Sequence, residues 1–267
     1  MALKGVSAVY HCAALVRPAG IVVSSSTLEH DFFSMNRDGT FNAAEAAVAA
    51  GAEVFLHLSS ISAQGPGLGL REDAPCRPLT LYGRSKLASE AAAAAGIPAG
   101  GACRLTICRP AMIYGKDSSS WGKFFSAVKS GLVPVPGSGR NTLSVCWAES
   151  LVDALLLLAE KGRDREIYTV SEGPRSWEEL AGLAAAALGV KARLLRVPEL
   201  PLKALSVLSG SALRAAGLAL PALNYLTEPG AFREAVSWWK HDTAKLRALG
   251  WIPRLPTAAA LANEIGV

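Results

Sequence analysis

The chain has 267 residues, of which 51% are hydrophobic, and its 27 basic and 22 acidic side chains give a formal net charge of +5. This length and apolar content allow a large buried core in one or two domains. The charges are scattered, without a basic run or an aromatic-interleaved patch. Nucleic-acid binding is therefore not expected, and affinity for small anionic ligands is the most that the charge favours.

The five cysteines form no CxxC motif, and the four histidines have no metal-ligand spacing. We therefore expect reduced thiols in a cytoplasmic protein and no metal site. His11 and a strand-like rhythm argue against a signal peptide over residues 1–16. No run of about 20 apolar residues appears, so a spanning helix is not expected. Residues 200–226 are interrupted by Lys203 and Arg214, and an amphipathic, lipid-facing role for them stays open.

The first predicted elements are a buried strand over residues 7–15 and a helix over residues 31–50. The strand runs into small residues, and the helix has regularly spaced apolar residues with Gly51 as its stop. Inside the helix lies Asn36-Arg37-Asp38-Gly39-Thr40-Phe41-Asn42. Taken alone, an asparagine within a helix is usually a surface residue.

The central pattern is a strand over residues 53–59 that ends in Ser59-Ser60, a Gly/Pro-rich loop over 64–69, and a helix that carries Tyr82 and Lys86. Residues four apart share one face of a helix. A phenol has a pKa of about 10, and a nearby ammonium favours the phenolate, so Tyr82 is a candidate general acid/base. The spacing alone is common on surface helices; the strand that ends in hydroxyls makes a catalytic constellation plausible.

The remaining elements predict an α/β chain. Residues 103–108 form the next predicted strand, which Pro110 cuts short so that the following loop turns outward. A short strand over 141–147, a helix over 149–161 and a buried strand over 166–170 follow. Ser176-Trp177-Glu178-Glu179 is a capping box that opens a helix ending near Gly189, and Gly250 with Pro253 ends the last predicted helix.

Together these segments resemble the extended short-chain dehydrogenase/reductase family, in its NAD-dependent epimerase/dehydratase branch. That family pairs a strand-end "SS…G" with "P…YGxSK", matched here by residues 59–65 and by Pro78 with Tyr82-Gly83-Arg84-Ser85-Lys86. Its "N..GT.N", "RP..iYG" and "KA…LGW.P" patterns match residues 36–42, 109–115 and the segment before Pro253. Ala63-Gln64-Gly65 is a variation found among hydroxysteroid-dehydrogenase-like members.

The resemblance implies an incomplete doubly wound, Rossmann-like parallel sheet with a smaller, mostly helical C-terminal substrate region. Residues 1–110 and 140–170 would form the remainder of the dinucleotide-binding domain, and 111–139 and 171–267 the substrate-binding region. It implies NAD or NADP as cofactor and Tyr82, Lys86 and Ser60 as catalytic residues. The residues implied at the cofactor are His11, Ala13, Ala14, Ser59, Tyr82, Lys86, Pro110 and Ile113. Those implied at the substrate are Asn36, Ser62 and Tyr114.

Two departures from the family pattern matter. No glycine-rich pyrophosphate turn follows an N-terminal strand, and the residue that would choose NAD or NADP is missing with it. At about 30 residues per βαβ unit, roughly 60 or more residues are absent. This predicts a misplaced start, a truncated gene or a loss of ordinary dinucleotide binding. Second, Ile61 and Ser62 occupy the positions of the acid pair of sugar dehydratases, so dehydration is disfavoured.

The sequence therefore predicts an NAD(P)-dependent oxidoreductase or epimerase that transfers hydride at a carbinol or carbonyl carbon. Scattered aromatic residues favour a small lipophilic, sterol-like alcohol or ketone as substrate, although most such residues are core residues. A nucleotide-sugar epimerase is the first alternative. A non-catalytic remnant or binding module completed by another chain is the second, because an incomplete sheet exposes an edge. A homodimer is possible.

Overall fold

A computed structural model describes residues 3–16, 23–115, 118–219 and 229–265. The strands are β1 Ala8–His11, β2 Val23–Ser24, β3 Val54–Leu58, β4 Gly67–Leu70, β5 Arg104–Pro110, β6 Met112–Tyr114, β7 Leu132–Pro136, β8 Thr142–Trp147, β9 Glu166–Val170, β10 Gly173–Ser176, β11 Arg193–Val197, β12 Leu218–Ala219 and β13 Trp239–His241. The helices are α1 Ser25–Phe33, a π-helical turn Ser34–Asp38, α2 Gly39–Ala49, α3 Ile61–Gln64, α4 Leu81–Gly96, α5 Ser119–Lys129, α6 Ala148–Lys161, α7 Trp177–Ala187, α8 Glu199–Ala215, α9 Pro229–Val236, α10 Ala244–Arg247 and α11 Thr257–Ile265.

The centre of the fold is a parallel sheet in the order β1-β3-β5-β9. Parallel neighbours need crossover connections, and the helices of those crossovers cover both faces of the sheet. On one face, Phe55 of β3 packs with Ala44 of α2 and Ala93 of α4. On the other face, Leu56 belongs to the core that includes Leu158 of α6. This doubly wound arrangement confirms the predicted α/β, Rossmann-like class.

Shorter sheets lie outside this centre. β8 pairs with β6 in parallel and with β10 in antiparallel fashion. Three further two-stranded pairs join distant segments, namely β7 with β11, β4 with β13 and β2 with β12. Most of these strands fall in segments 111–139 and 171–267, which also carry helices α5 and α7 to α11. Among the residues described, no helix combines the length and the apolar content that crossing a bilayer requires.

Several predicted elements differ in detail from the structure. The strand predicted over residues 7–15 is regular only over Ala8–His11, and the helix predicted over 31–50 contains the π-helical turn Ser34–Asp38. Pro110 does not cut β5 short but is its last residue, opposite Val170 of β9. Its missing N–H interrupts no hydrogen bond between the two strands, because the Ala111 N–H donates to the Val170 carbonyl. The loop predicted over 64–69 contains β4, which pairs with a strand about 170 residues further along the chain. The capping box at Ser176 and Glu179 is present as predicted.

Candidate active site

The candidate site lies at the carboxyl ends of β1, β3 and β5, the edge at which open parallel sheets bind ligands. β3 ends at Leu58 and is followed by Ser59 and Ser60. After α3 and β4, α4 begins at Leu81 and carries Tyr82 in its first turn and Lys86 in its second. The helix starts there because the Thr80 hydroxyl accepts a hydrogen bond from the Gly83 N–H at 3.1 Å.

Gly83 brings α4 against the short helix α3. A Cβ at this position would lie 2.4 Å from the Ser62 carbonyl oxygen, a distance that no side chain tolerates. The missing side chain lets the two backbones approach, and this puts Tyr82 beside Ser60. The requirement explains why glycine follows the tyrosine.

Tyr82 is a shielded phenol. Its pKa is raised to about 12, chiefly by burial; a hydrogen-bonding interaction with Ser60 acts against this shift, and the nearby Glu234 carboxylate adds to it. Its ring makes an edge contact with Phe32, with 6.5 Å between centroids. The sequence predicts that Lys86 lowers the pKa of Tyr82. In the structure burial dominates instead, and the phenol is protonated at neutral pH.

Lys86 is almost fully buried, with 1% of its surface exposed. Its Nζ donates a hydrogen bond to the Leu58 carbonyl oxygen at 2.6 Å, at the end of β3. Burial lowers its pKa to about 8, while Glu90 and Cys12 act in the opposite direction. An ammonium held at a strand end in this way is a preformed donor for a ligand that covers the sheet edge.

The two serines after β3 have different partners. Ser60 is the N-cap of α3, where its Oγ accepts from the Ser62 N–H at 3.1 Å. Ser59 is buried, and its hydroxyl donates to Oε1 of Glu90. Glu90 in turn pairs with Arg109. The Ser59 hydroxyl is therefore bound within the protein, whereas Ser60 is the serine that acts on Tyr82.

A pair of stacked histidines lies behind this edge. The rings of His11 and His57 are 5.5 Å apart and are neighbours in the β1–β3 register. Nε2 of His11 is 3.0 Å from Oγ1 of Thr40. Burial lowers the pKa of His11 and, more strongly, that of His57, and Lys86 adds to both shifts. His57 was not singled out from the sequence, because a histidine inside an apolar strand carries no distinguishing pattern.

Asn36 fastens the loop after β1 to the tyrosine helix. It is fully buried; its Oδ1 accepts from the Leu15 N–H at 2.6 Å, and its Nδ2 donates to the Leu15 carbonyl at 2.9 Å and to Oγ of Ser85 at 2.8 Å. Its amide is thus occupied by the protein itself. Ala13 and Ala14 lie in the same loop, where Ala13 is exposed and Ala14 is half-buried.

The remaining predicted residues follow β5. Pro110 is buried at the end of the strand, and Ile113 in β6 is 36% exposed. Tyr114 is fully buried, with its hydroxyl donating to Oε2 of Glu172 at 2.8 Å and its ring packed on Trp121. The same carboxylate oxygen of Glu172 also accepts a hydrogen bond from the Thr257 hydroxyl, so Glu172 links Tyr114 to Thr257.

The donor set fits one end of a dinucleotide. The Lys86 ammonium, the Tyr82 phenol and the Ser60 hydroxyl suit a ribose hydroxyl and a substrate oxygen. Gly67 and Gly69 belong to β4, which pairs with β13, so they do not form a phosphate-binding turn. No cluster of metal-ligating side chains occurs within the described part of the chain.

Comparison with known proteins places this site in a family. The model of the NAD dependent epimerase/dehydratase family matches residues 1–171. An uncharacterised protein y4nL of Sinorhizobium fredii is 31% identical over 95% of this chain and 72% of its own length. A ceramide reductase of Caulobacter vibrioides is 32% identical over 73% of this chain and 55% of its own length. A human sterol-4-alpha-carboxylate 3-dehydrogenase, decarboxylating, is 29% identical over 60% of this chain and 43% of its own length.

The chain thus spans about half the length of the two characterised relatives. Among solved structures, MoeE5 in complex with UDP-glucose and NAD superposes with a TM-score of 0.73 at 24% identity, over 98% of this chain and 79% of that one. This likeness shows the fold. The family match confirms the resemblance inferred from the motifs and the nicotinamide cofactor class that goes with it. The chain belongs to the NAD-dependent epimerase/dehydratase family.

Proposed function

We propose that the protein is an NAD(P)-dependent oxidoreductase that acts on the carbinol or carbonyl carbon of a lipophilic substrate. The observation that carries the proposal is the half-buried Tyr82 phenol beside Ser60, on the same helix as the buried Lys86 ammonium. Residues 1–110 and 140–170 would bind the dinucleotide, and 111–139 and 171–267 the substrate.

Each side chain has a distinct role in this proposal. Tyr82 holds or moves the proton at the substrate oxygen, and Ser60 donates a hydrogen bond to that oxygen. Lys86 binds the nicotinamide ribose, and the strand-end loop with Ala13 and Ala14 borders the cofactor. The dinucleotide, when bound, supplies the hydride acceptor or donor.

The protonation state of Tyr82 favours one direction of reaction. A phenol whose pKa is raised to about 12 by burial carries its proton at neutral pH. It is therefore ready to donate that proton to a carbonyl oxygen, and reduction of a ketone needs no prior ionisation. Oxidation of an alcohol requires the phenolate, which the Lys86 ammonium would favour once a ligand draws it away from the Leu58 carbonyl.

A lipophilic substrate is supported by the surroundings of Tyr82 and by two relatives. The aromatic ring of Phe32 borders the phenol, and no arginine is among the groups that the structure shows acting on it. Two relatives, a ceramide reductase and a sterol-4-alpha-carboxylate 3-dehydrogenase, are named for lipid substrates. The likeness to a UDP-glucose complex keeps a nucleotide-sugar epimerase as the second candidate.

The test begins with binding of NADH and NADPH to the purified chain, followed by fluorescence. Micromolar binding that is weakened in Tyr82→Phe/Lys86→Ala, and retained in Tyr10→Phe as a matched exposed-tyrosine control, supports the proposal. Reduction of a long-chain ketone then separates it from epimerisation of UDP-glucose. A folded, monodisperse chain that binds neither dinucleotide would contradict the proposal and favour a non-catalytic binding module.

A further inference from the structure

Helix α9, from the segment 171–267, packs directly on the turn that carries Tyr82. A Cβ at Gly230 would overlap the Leu79 carbonyl oxygen, so only glycine lets the two backbones approach in this way. Leu79 and Thr80 immediately precede α4. A distant part of the chain therefore borders the N-terminal turn of the tyrosine helix.

The Thr80 hydroxyl joins the two helices. It donates a hydrogen bond to Oε1 of Glu234 at 3.1 Å and accepts one from the Gly83 N–H at 3.1 Å. Hydrogen bonds that are linked through one hydroxyl strengthen each other, and a negative charge is favourable at a helix N-terminus. Because Gly83 follows Tyr82, these bonds hold the turn that carries the phenol.

Helix α9 is itself held on its other side. The Trp239 indole N–H donates to the Glu234 carbonyl oxygen at 2.9 Å. Nδ2 of Asn141 donates to the carbonyl oxygens of Ala235 and Ser237 at 3.0 Å and 3.1 Å. The backbone around Glu234 is therefore fixed from β13 and from the start of β8, and its side chain reaches a defined place beside α4.

The charge of Glu234 also acts on the phenol. Burial is the main cause of the raised pKa of Tyr82; the interaction with Ser60 opposes it, and the Glu234 carboxylate adds to it. A carboxylate disfavours a second anion beside it. Glu234 therefore helps to keep the proton on Tyr82.

The other charged groups of the neighbouring elements are engaged elsewhere or act too weakly to register. Helix α3 carries no titratable side chain. On α4, Lys86 donates to the Leu58 carbonyl, Glu90 pairs with Arg109, and Arg84 is exposed. Within the described parts of α1 and α9, the structure shows no action on the pKa of Tyr82 by the following residues: Glu29, His30, Asp31 and Arg233.

We propose that Glu234 is a positioning residue for Tyr82, which holds the first turn of α4 in place through the Thr80 hydroxyl. Its charge also disfavours the phenolate. The segment that carries α9 thus helps to set the position and the protonation state in which Tyr82 meets a substrate. That Tyr82 meets a substrate rests on the proposed function, whereas the link between Glu234 and Tyr82 does not.

The experiment is fluorine NMR of the full chain with 3-fluorotyrosine in place of tyrosine, because the phenol of 3-fluorotyrosine titrates at lower pH. The resonance of position 82 is the one that is lost in Tyr82→Phe, and its chemical shift is followed with pH. Glu234→Gln keeps an oxygen acceptor for the Thr80 hydroxyl but removes the charge, and Glu234→Ala removes both. Glu45→Gln and Glu45→Ala make the same changes at an exposed position of α2 and are the matched controls. Thermal unfolding gives the melting temperature of each variant and checks that it folds.

In Glu234→Gln the resonance is expected to titrate about half a pH unit lower than in the unchanged chain, because the negative charge beside the phenol is gone. Glu234→Ala should show at least the same shift. Relative to the controls, it should also melt at a lower temperature than Glu234→Gln, because the Thr80 hydroxyl loses its acceptor. The Glu45 variants should leave the titration as it is.

An unshifted titration in Glu234→Gln would overturn the proposal, and so would equal melting temperatures of the two Glu234 variants after correction by the controls. The titration requires no dinucleotide, so it is decided separately from NADH binding. A chain that binds neither NADH nor NADPH but shows the expected shift would contradict the proposed function alone.

Discussion

Arg109 and Glu90 form a two-pronged ion pair in the interior, directly behind the end of β3. Nε and Nη2 of Arg109 lie 2.8 Å and 2.7 Å from the two carboxylate oxygens, and the side chains are only 2% and 7% exposed. The same carboxylate accepts the hydroxyl of Ser59. The pair therefore links strand β5 and helix α4 to Ser59 at the end of β3, and we infer that it positions the candidate site rather than acting in it.

Breaking this pair from one side should be costly. Arg109→Met leaves the Glu90 carboxylate buried without its counter-charge, which costs about 3–5 kcal/mol in the free energy of unfolding. In Glu90→Gln/Arg109→Met the buried charge is gone as well, so the loss should be smaller than in Arg109→Met. Urea unfolding at pH 7 measures both variants.

The exposed pair Arg37–Asp38 provides the comparison, because its side chains are 49% and 51% exposed. Arg37→Met should leave the free energy of unfolding nearly unchanged, since solvent screens such a pair. Equal losses in the free energy of unfolding from Arg37→Met and Arg109→Met would mean that the buried Arg109–Glu90 pair stabilises the fold no more than an exposed pair does.

Lys86 should cost the protein stability at neutral pH. Its pKa in the folded state is about 8, below its ordinary 10.5, so between these values the unfolded chain binds a proton that the folded chain does not. Lys86 therefore contributes a rise in the free energy of unfolding between pH 8 and pH 10.5, and the difference in that free energy between Lys86→Met and the unchanged protein should shrink over this range. At pH 7 burial of the ammonium lowers the free energy of unfolding by on the order of 3 kcal/mol. Lys86→Met removes this penalty but also removes the hydrogen bond to the Leu58 carbonyl, which offsets part of the gain. Lys86→Met should be about 1–2 kcal/mol more stable at pH 7, as urea unfolding across this pH range would measure.

Lys240→Met is the control, because Lys240 is exposed. It should leave the pH dependence of unfolding as it is in the unchanged protein. If Lys86→Met follows the same pH profile as the unchanged protein, the ammonium is not buried in solution.

Asn36 should affect dinucleotide binding and stability, because its side chain holds the loop after β1 in place. Asn36→Ala leaves the Leu15 N–H and the Leu15 carbonyl without their present partner, whereas the Ser85 hydroxyl keeps its hydrogen bond to the Tyr82 carbonyl. Each buried polar group left unsatisfied costs about 1–3 kcal/mol. We expect weaker dinucleotide binding together with a lower melting temperature, measured by NADH fluorescence and by thermal unfolding. Asn42→Ala, at an exposed position of the following helix, should change neither quantity. Unaltered NADH affinity in a folded Asn36→Ala protein would show that the loop needs no such fastening.

The parts of the fold that the sequence predicts correctly depend on neighbouring residues. The apolar run that becomes β3 and the capping box at Ser176 are local patterns, and the motif around Tyr82 marks its own helix. The pairing of Gly67 with Trp239 is a tertiary event between distant segments, and no local pattern distinguishes β4 from a loop. The same holds for the hydrogen bond between Nε2 of His57 and Oγ of Ser89, which are 2.8 Å apart. These depend on which surface of the folded protein each element meets.

The close contact at Gly83 gives the most direct test of the candidate site. Gly83→Ala puts a methyl group 2.4 Å from the Ser62 carbonyl oxygen, so helix α4 must move away from α3 and take Tyr82 away from Ser60. Overpacking of this kind costs about 1–3 kcal/mol, and dinucleotide binding and any ketone reduction should fall with it. Gly182→Ala in α7 meets open space, so it should stabilise the protein by about 0.5–1 kcal/mol through helix propensity. The two variants make the same chemical change in a helix, and only the neighbouring carbonyl differs. If urea unfolding finds Gly83→Ala as stable as Gly182→Ala, the two helices are further apart than the site requires, and Ser60 does not act on Tyr82.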